Sequence, residues 1–316
     1  MKVVFCGTPF FAVPTLQALL AAGHSIPLVV TQPDRPSGRG MQLVAPPVKL
    51  AALDAGLAVV QPEKIKNNQE FRALIESIAP DVIVVVAYGR IIPQWMLDLP
   101  RYGNINLHGS LLPRYRGAAP IQWAVARGEK EIGVTTMLLE AGLDTGAMLL
   151  ARSLPIAPNM TAEEAFPLLA MLGAPLMLET LQGLAEGTLK PQPQDHSQAT
   201  LAPILTREDG RIDFSRPAVE IYNRWRGFTP WPGAWTMLEG KKLSVNKMLW
   251  PVDTPAGIEK TSCFGCILVG SQRIFFTCGD TDLVEVQELQ VEGKKRMLAA
   301  DFLRGNALVS GQKVGQ

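Results

Sequence analysis

Short, unbroken apolar runs alternate with helical patterns through the first half of the chain, and this rhythm narrows its fold more than any other feature. Val82-Ile83-Val84-Val85-Val86 is apolar at both strand phases, so a strand built from it must be covered on both faces. Similar runs fall at Val3 to Cys6, Ile26 to Thr31, Leu57 to Val60 and Asn104 to His108, with helical stretches at Val13 to Ala22 and Asn68 to Ala79. The pattern predicts an α/β domain with a doubly wound, mostly parallel sheet. Further strands are expected over 133–139 and 148–156. Thr161 and Glu164 form a capping box for a helix over 161–187, which should break near Gly173-Ala174-Pro175.

Composition shifts after Gly187. Pro191, Pro193 and Pro203 lie among polar residues with few periodic apolar positions, the signature of a linker. A helix near Ala218 to Arg226 and short runs separated by glycines at 233, 240, 257, 265, 270 and 279 then predict a small OB-like β-barrel. The expected division is a catalytic domain over 1–188, a linker over 189–207 and a barrel over 208–316. A net charge of +1 gives no global field for nucleic acid, so an RNA partner would need a local patch. Apolar runs read as too short to span a membrane, and the amino-terminal residues enter a strand pattern directly. Four cysteines are too few for a secreted disulfide framework, and Cys263-Phe264-Gly265-Cys266 lacks the further ligands that zinc requires. They are read as core hydrophobes of a cytoplasmic, monomeric protein without a metal site or a tightly bound cofactor.

Ligands of such a sheet settle beyond the carboxyl ends of its strands, where Gly7, Tyr88-Gly89 and 108–116 fall. Asn106 and His108 share one strand face, and Asp144 lies downstream in Gly142-Leu143-Asp144-Thr145-Gly146. An amide, an imidazole and a carboxylate suit acyl or formyl transfer: the first two hold a developing oxyanion, while the third orients the ring and helps receive a proton. The competing reading is a structural histidine in a turn beside a helix-capping aspartate. From Arg216 to Trp250, six basic residues are interleaved with Trp225, Trp231 and Trp235. That mixture fits a nucleic-acid backbone, or merely a solvated helix face over a tryptophan-rich core.

Longer strings carry a resemblance. Asn106-Leu107-His108-Gly109-Ser110-Leu111-Leu112-Pro113, the following Arg114-Tyr115-Arg116-Gly117-Ala118-Ala119-Pro120-Ile121, and the Asp144 pentapeptide resemble the methionyl-tRNA formyltransferases. The likeness extends to Gly7-Thr8-Pro9-Phe10-Phe11-Ala12-Val13-Pro14, Thr31-Gln32-Pro33-Asp34-Arg35-Pro36 and Trp231-Pro232-Gly233-Ala234, nearly the whole chain. It implies 10-formyltetrahydrofolate as cosubstrate, methionyl initiator tRNA as acceptor, and Asn106, His108 and Asp144 as the catalytic set. Folate contact is implied for Ser110, Leu111, Leu112 and Pro113, with Tyr88, Gly89 and Ile91 near the pterin. tRNA contact is implied for Arg35 and Arg39 in the Pro33 to Pro47 loop, and for Arg224, Arg226, Lys241 and Lys242.

The chain departs from the family pattern at Met41-Gln42 and Ile204, where basic residues are usual, and at Phe10, where an acidic one is common. The first two remove phosphate attraction and should weaken RNA binding rather uniformly across sequences. Two rival functions are a formyltransferase acting on a small amine, such as an amino-sugar nucleotide, and an RNA-binding protein with no catalysis.

Overall fold

The computed structural model of this 316-residue chain describes residues 1–37, 41–254 and 263–315. The backbone gathers into two compact units, one of 1–121, 131–155 and 164–203, the other of 122–130, 156–163 and 204–316. The division is not linear, because two short stretches of the first half belong to the second unit.

Strands β1 (Lys2–Gly7), β2 (Ser25–Val30), β3 (Arg35–Ser37), β4 (Gln42–Val44), β5 (Val59–Val60), β6 (Val82–Val86), β7 (Asn104–His108), β8 (Glu131–Leu138) and β9 (Met148–Pro155) come first. Helices α1 (Val13–Ala21), α2 (Pro47–Asp54), α3 (Gln69–Ile78), α4 (Gln94–Leu97), α5 (Pro120–Ala126) and α6 (Ala162–Glu186) accompany them. One seven-stranded sheet runs in the order β5-β2-β1-β6-β7-β8-β9. Strands β5 through β7 in that order are parallel, and β8 and β9 continue antiparallel. The chain builds outward from β1 in one direction and then from β6 in the other, so a crevice opens where their ends part, at the partners Gly7 and Val86.

Local sequence explains the covering helices. Asn68 accepts from Phe71 N at 3.0 Å, starting α3, and the i, i+4 pair Phe71 and Ile75 is buried against Ile83, Val85 and Tyr88.

Helix α6 corrects two expectations. It has no break at Gly173: the 25 residues run through Pro167 and Pro175. By length and composition it would also suffice to cross a membrane. Its buried face, with Ala165, Leu169, Leu176, Met177 and Leu181, is core instead, and Thr180 Oγ1 lies 2.7 Å from Thr136 Oγ1 on β8. A Cβ on Gly173 would sit 2.5 Å from Leu107 Cδ2, so glycine here serves close approach to β7 and not a helix end. Gly173→Val should therefore cost about 1–3 kcal/mol through overpacking. A denaturant midpoint equal to that of the parent would show that the helix stands further off.

The Pro33 to Pro47 stretch, expected as a loop, is a short hairpin in which Arg35 pairs with Val44 and Ser37 with Gln42. Arg39 lies outside the described residues. The supposed linker is likewise laced to the first unit: Met148 N and Gln192 N each donate to the other's carbonyl at 2.8 Å, and Ala202 N donates to Arg116 O at 2.7 Å. Prolines that weaken regular structure leave side-to-side bonding of an extended chain intact.

The second unit holds α7 (Ala218–Phe228), β10 (Ala234–Leu238), β11 (Lys241–Leu249), β12 (Ile267–Gly270), β13 (Arg273–Thr277), β14 (Leu283–Val291), β15 (Met297–Leu298) and α8 (Ala299–Gly305). Its antiparallel sheet, β10-β11-β14-β13-β12 with β15 on β14, is an OB-like half-barrel. Leu243 and Val245 face a core shared with Tyr222, Trp225 and Phe276, while Lys241 and Lys247 point outward. Cys263 and Cys266 are bonded to each other and not separate core hydrophobes. Their two-residue spacing, which suits a redox pair as well as a zinc site, permits a short disulfide loop. Buried Cys278 does behave as core, its thiol pushed up to about 12 chiefly by burial.

Candidate active site

Strand β7 alternates its side chains across the sheet. Leu107 faces Gly173 of α6, whereas Asn106 and His108 occupy the opposite face. His108 is 6% exposed, and its Nε2 lies 2.9 Å from Tyr115 O. A carbonyl only accepts, so Nε2 carries hydrogen there and Nδ1 is the atom left facing Asp144. Nδ1 and Asp144 Oδ2 are 3.7 Å apart, beyond direct hydrogen bonding but within ion-pair distance for a ring that also carries a proton on Nδ1. The same Oδ2 accepts from Gly117 N at 2.8 Å, and Asp144 holds a left-handed backbone with φ 50°. The structure thus brings His108 and Asp144 together from distant parts of the chain.

Asn106 Oδ1 is buried without a hydrogen-bond partner among the described residues. Asn104 Oδ1 and Asn246 Oδ1 are buried in the same way, and what sets Asn106 apart is its place on the face of β7 that carries His108.

The loop after His108 is turned by its own polar atoms. Ser110 Oγ donates to Arg114 O at 2.7 Å, and Thr135 Oγ1 on β8 donates to Ser110 O at 2.7 Å while accepting from Leu112 N at 3.2 Å. Ser110 and Leu112 are buried, Leu111 is half-buried, and the Leu112–Pro113 peptide is cis. The neighbouring loop leaves β6, which pairs with β7 through Val85 and Asn106. Tyr88 has its backbone, not its ring, available to a ligand: the ring is 1% exposed, inside the core, where burial raises the phenol's pKa. Gly89 turns with φ +77°, and Ile91 is 88% exposed.

Gln32, unmarked by any reading of the chemistry, fixes this loop. Its Nε2 donates to Tyr88 O and Gly89 O, each at 3.2 Å, its Oε1 accepts from Arg90 Nε at 3.1 Å, and Thr8 Oγ1 adds a bond to Tyr88 O at 3.0 Å. Its signal was its place in Thr31-Gln32-Pro33-Asp34-Arg35-Pro36, one of the strings that carry the family resemblance.

The basic residues separate into two groups. Arg226 is 4% exposed and donates to Met160 O and Asn223 Oδ1. Arg224 donates to Asp209 O at 2.9 Å and lies 4.9 Å from the Phe228 ring. Burial lowers the pKa of both guanidinium groups; buried Arg226 braces α7 inside the second unit, whereas Arg224 is half-buried and keeps part of its surface in solvent. Lys241 is exposed, and Lys242 Nζ stands 4.9 Å over Trp235, with Arg211 at 5.8 Å from that ring. Arg35 is exposed on β3 of the first unit.

The doubly wound sheet thus presents an amide and an imidazole on β7, beside β6, with a carboxylate near the imidazole, and comparison identifies the class. The formyl transferase family profile matches residues 1–181, and the formyl transferase C-terminal domain profile matches 204–307. The chain belongs to the formyltransferase family. It is 68% identical over 315 residues to the methionyl-tRNA formyltransferase of Acidobacterium capsulatum, with both chains fully covered. With that of Koribacter versatilis it shares 55% identity over 316 residues, covering 100% of this chain and 99% of the relative. An N-formyltransferase from Helicobacter canadensis, solved in complex with folinic acid and dTDP-3-aminofucose, shares the fold at a TM-score of 0.65 and 17% identity, covering 90% of this chain and 98% of the other.

Proposed function

We propose that this protein transfers the formyl group of 10-formyltetrahydrofolate to the α-amino group of methionyl initiator tRNA, giving formylmethionyl-tRNA in the cytoplasm. The observation that carries the reading is the buried approach of His108 Nδ1 to Asp144 Oδ2 at 3.7 Å, at the end of the strand that also presents Asn106. The neutral amine attacks the formyl carbon, whose oxygen becomes an oxyanion stabilised by the Asn106 amide N–H and by the positive charge of a protonated His108 ring. Asp144 orients the imidazole and helps take the proton lost by the nitrogen. As the tetrahedral carbon collapses, the C–N bond to the folate nitrogen breaks, that nitrogen takes up the proton the amine has lost, and the formamide remains on methionine.

The folate cosubstrate fits the loops leaving β6 and β7. A flat heterocycle needs apolar cover and main-chain polar groups, which exposed Ile91, half-buried Leu111 and the backbone around Gly89 supply. Gln32→Ala should raise the KM for the formyl donor about 5- to 30-fold, the equivalent of ~1–2 kcal/mol for the bonds to the Tyr88–Gly89 loop, with kcat changed far less. A donor KM equal to that of the parent would show that this loop does not meet the folate.

The chemistry is assigned to the first unit, which takes in 189–203, and acceptor binding chiefly to the second, in a monomer that needs no membrane. Lys241 and Lys242 beside Trp235 offer phosphate attraction and an aromatic surface, and Arg35 on the β3–β4 hairpin faces solvent. Purified protein incubated with 10-formyltetrahydrofolate and methionyl initiator tRNA should add one formyl group to the methionine, read by mass after deacylation. Formylation of an amino-sugar nucleotide in place of the tRNA would overturn the acceptor. Binding of tRNA without folate turnover would reduce the protein to a non-enzymatic binder.

A further inference from the structure

Gln194 lies in the stretch whose sequence marks it as linker, yet its side chain is 6% exposed and hydrogen-bonded at both ends. Its Nε2 donates to the main-chain carbonyls of Asp144 at 2.8 Å and Gly146 at 2.7 Å. Its Oε1 accepts from Arg116 Nε at 3.0 Å and Nη2 at 2.6 Å. Arg116 is itself 7% exposed, and its Nη2 also lies 3.2 Å from His196 Nδ1. Charge-assisted bonds of this kind are shorter and stronger than neutral ones, and the flat guanidinium fixes the amide's direction.

The bonds close a ring around the carboxylate. Asp144 Oδ2 accepts from Gly117 N, Gly117 follows Arg116, the Arg116 side chain holds Gln194, and Gln194 returns to the main chain of Asp144. Tyr115, on the other side of Arg116, supplies the carbonyl that His108 Nε2 meets. A single tripeptide therefore fixes both partners of the His108–Asp144 pair, and Gln194 fixes the half that arrives from another loop. Asp144 sits at a left-handed φ of 50°, uncommon outside glycine, and the Gln194 bonds to its carbonyl and that of Gly146 hold the turn in which it lies.

We propose that Gln194, held by Arg116, is a positioning residue for the formyl-transfer step, setting the Asp144 carboxylate at its working distance from His108. The role needs an amide. A glutamate would still accept from Arg116, as an ion pair, but could not donate to the two carbonyls.

The proposal rests on Asp144 having the role assigned above, and the test separates the two. Single-turnover formylation of methionyl initiator tRNA would be measured for Gln194→Glu, Asp144→Asn and the double variant, with donor KM and tRNA Kd in parallel. Gln194→Glu should lower the rate constant roughly 10- to 100-fold, the scale of an ångström of misplacement, with KM and Kd unchanged. In the Asp144→Asn background the same change should cost nothing further. Full turnover by Asp144→Asn alone would remove the catalytic reading on which the proposal stands. An inactive Asp144→Asn with normal turnover by Gln194→Glu, or losses that multiply in the double variant, would leave the catalytic reading standing and overturn the positioning role. Should Gln194→Glu fail to fold, Arg116→Lys, which keeps the charge but not the fork, should show the same rate loss at constant KM. Turnover equal to the parent in Arg116→Lys would also overturn it.

Discussion

His108→Ala and Asp144→Asn should each remove nearly all formylation while leaving tRNA affinity close to that of the parent. For His108 the expected loss is about 10²–10⁴-fold, the range for one general acid–base group or one oxyanion donor. His108 is buried, with Nε2 held by Tyr115 O, so it lacks the exposure of a tRNA-binding residue. Asp144→Asn keeps the shape and can still accept from Gly117 N, but it removes the charge opposite Nδ1 and offers no base for the amine's proton. Its effect should fall on kcat. Single-turnover rates at saturating donor and acceptor test both variants, and turnover within a few-fold of the parent in both would refute the assignment. A pH series adds a separate check: the attacking amine must be neutral, so the parent's rate should fall as pH drops below the amine's pKa.

Short-range physics was legible in the sequence. The strand bearing Asn106 and His108 runs over Asn104–His108, as its apolar rhythm suggested, and α3 starts beside Asn68 because an asparagine side chain caps an apolar helix. Features that depend on distant partners were not legible. Gly173-Ala174-Pro175 reads as a helix stop until Leu107 is known to press against that point, after which the glycine is a packing solution. Arg224 and Arg226 look like Lys241 and Lys242 along the chain, and only the fold draws the arginines inward over Phe228 and toward Met160. Gln194 stood between prolines without any periodic signal. A polar residue whose role is to bond loops remote in sequence leaves no pattern beside it.

Gly117→Ala should damage both stability and turnover, since two independent constraints meet at that residue. Its φ of +122° lies where side chains are strained, at a cost of about 1–3 kcal/mol. An added Cβ would also stand 2.6 Å from Ala202 O, a backbone atom already placed by the bond from Ala119 N at 3.2 Å. Relief requires the segment to shift, and with it the Gly117 N–H that meets Asp144 Oδ2. Displacing that carboxylate by an ångström is enough to cost about 10²-fold in rate. The expected result is a lower denaturation midpoint together with kcat reduced by about two orders of magnitude and donor KM nearly unchanged, since the loop at Tyr88–Gly89 is held separately by Gln32 and Thr8. A variant that melts early yet turns over normally at low temperature would show that the Gly117–Asp144 contact is structural and that the carboxylate reaches its working position by another route.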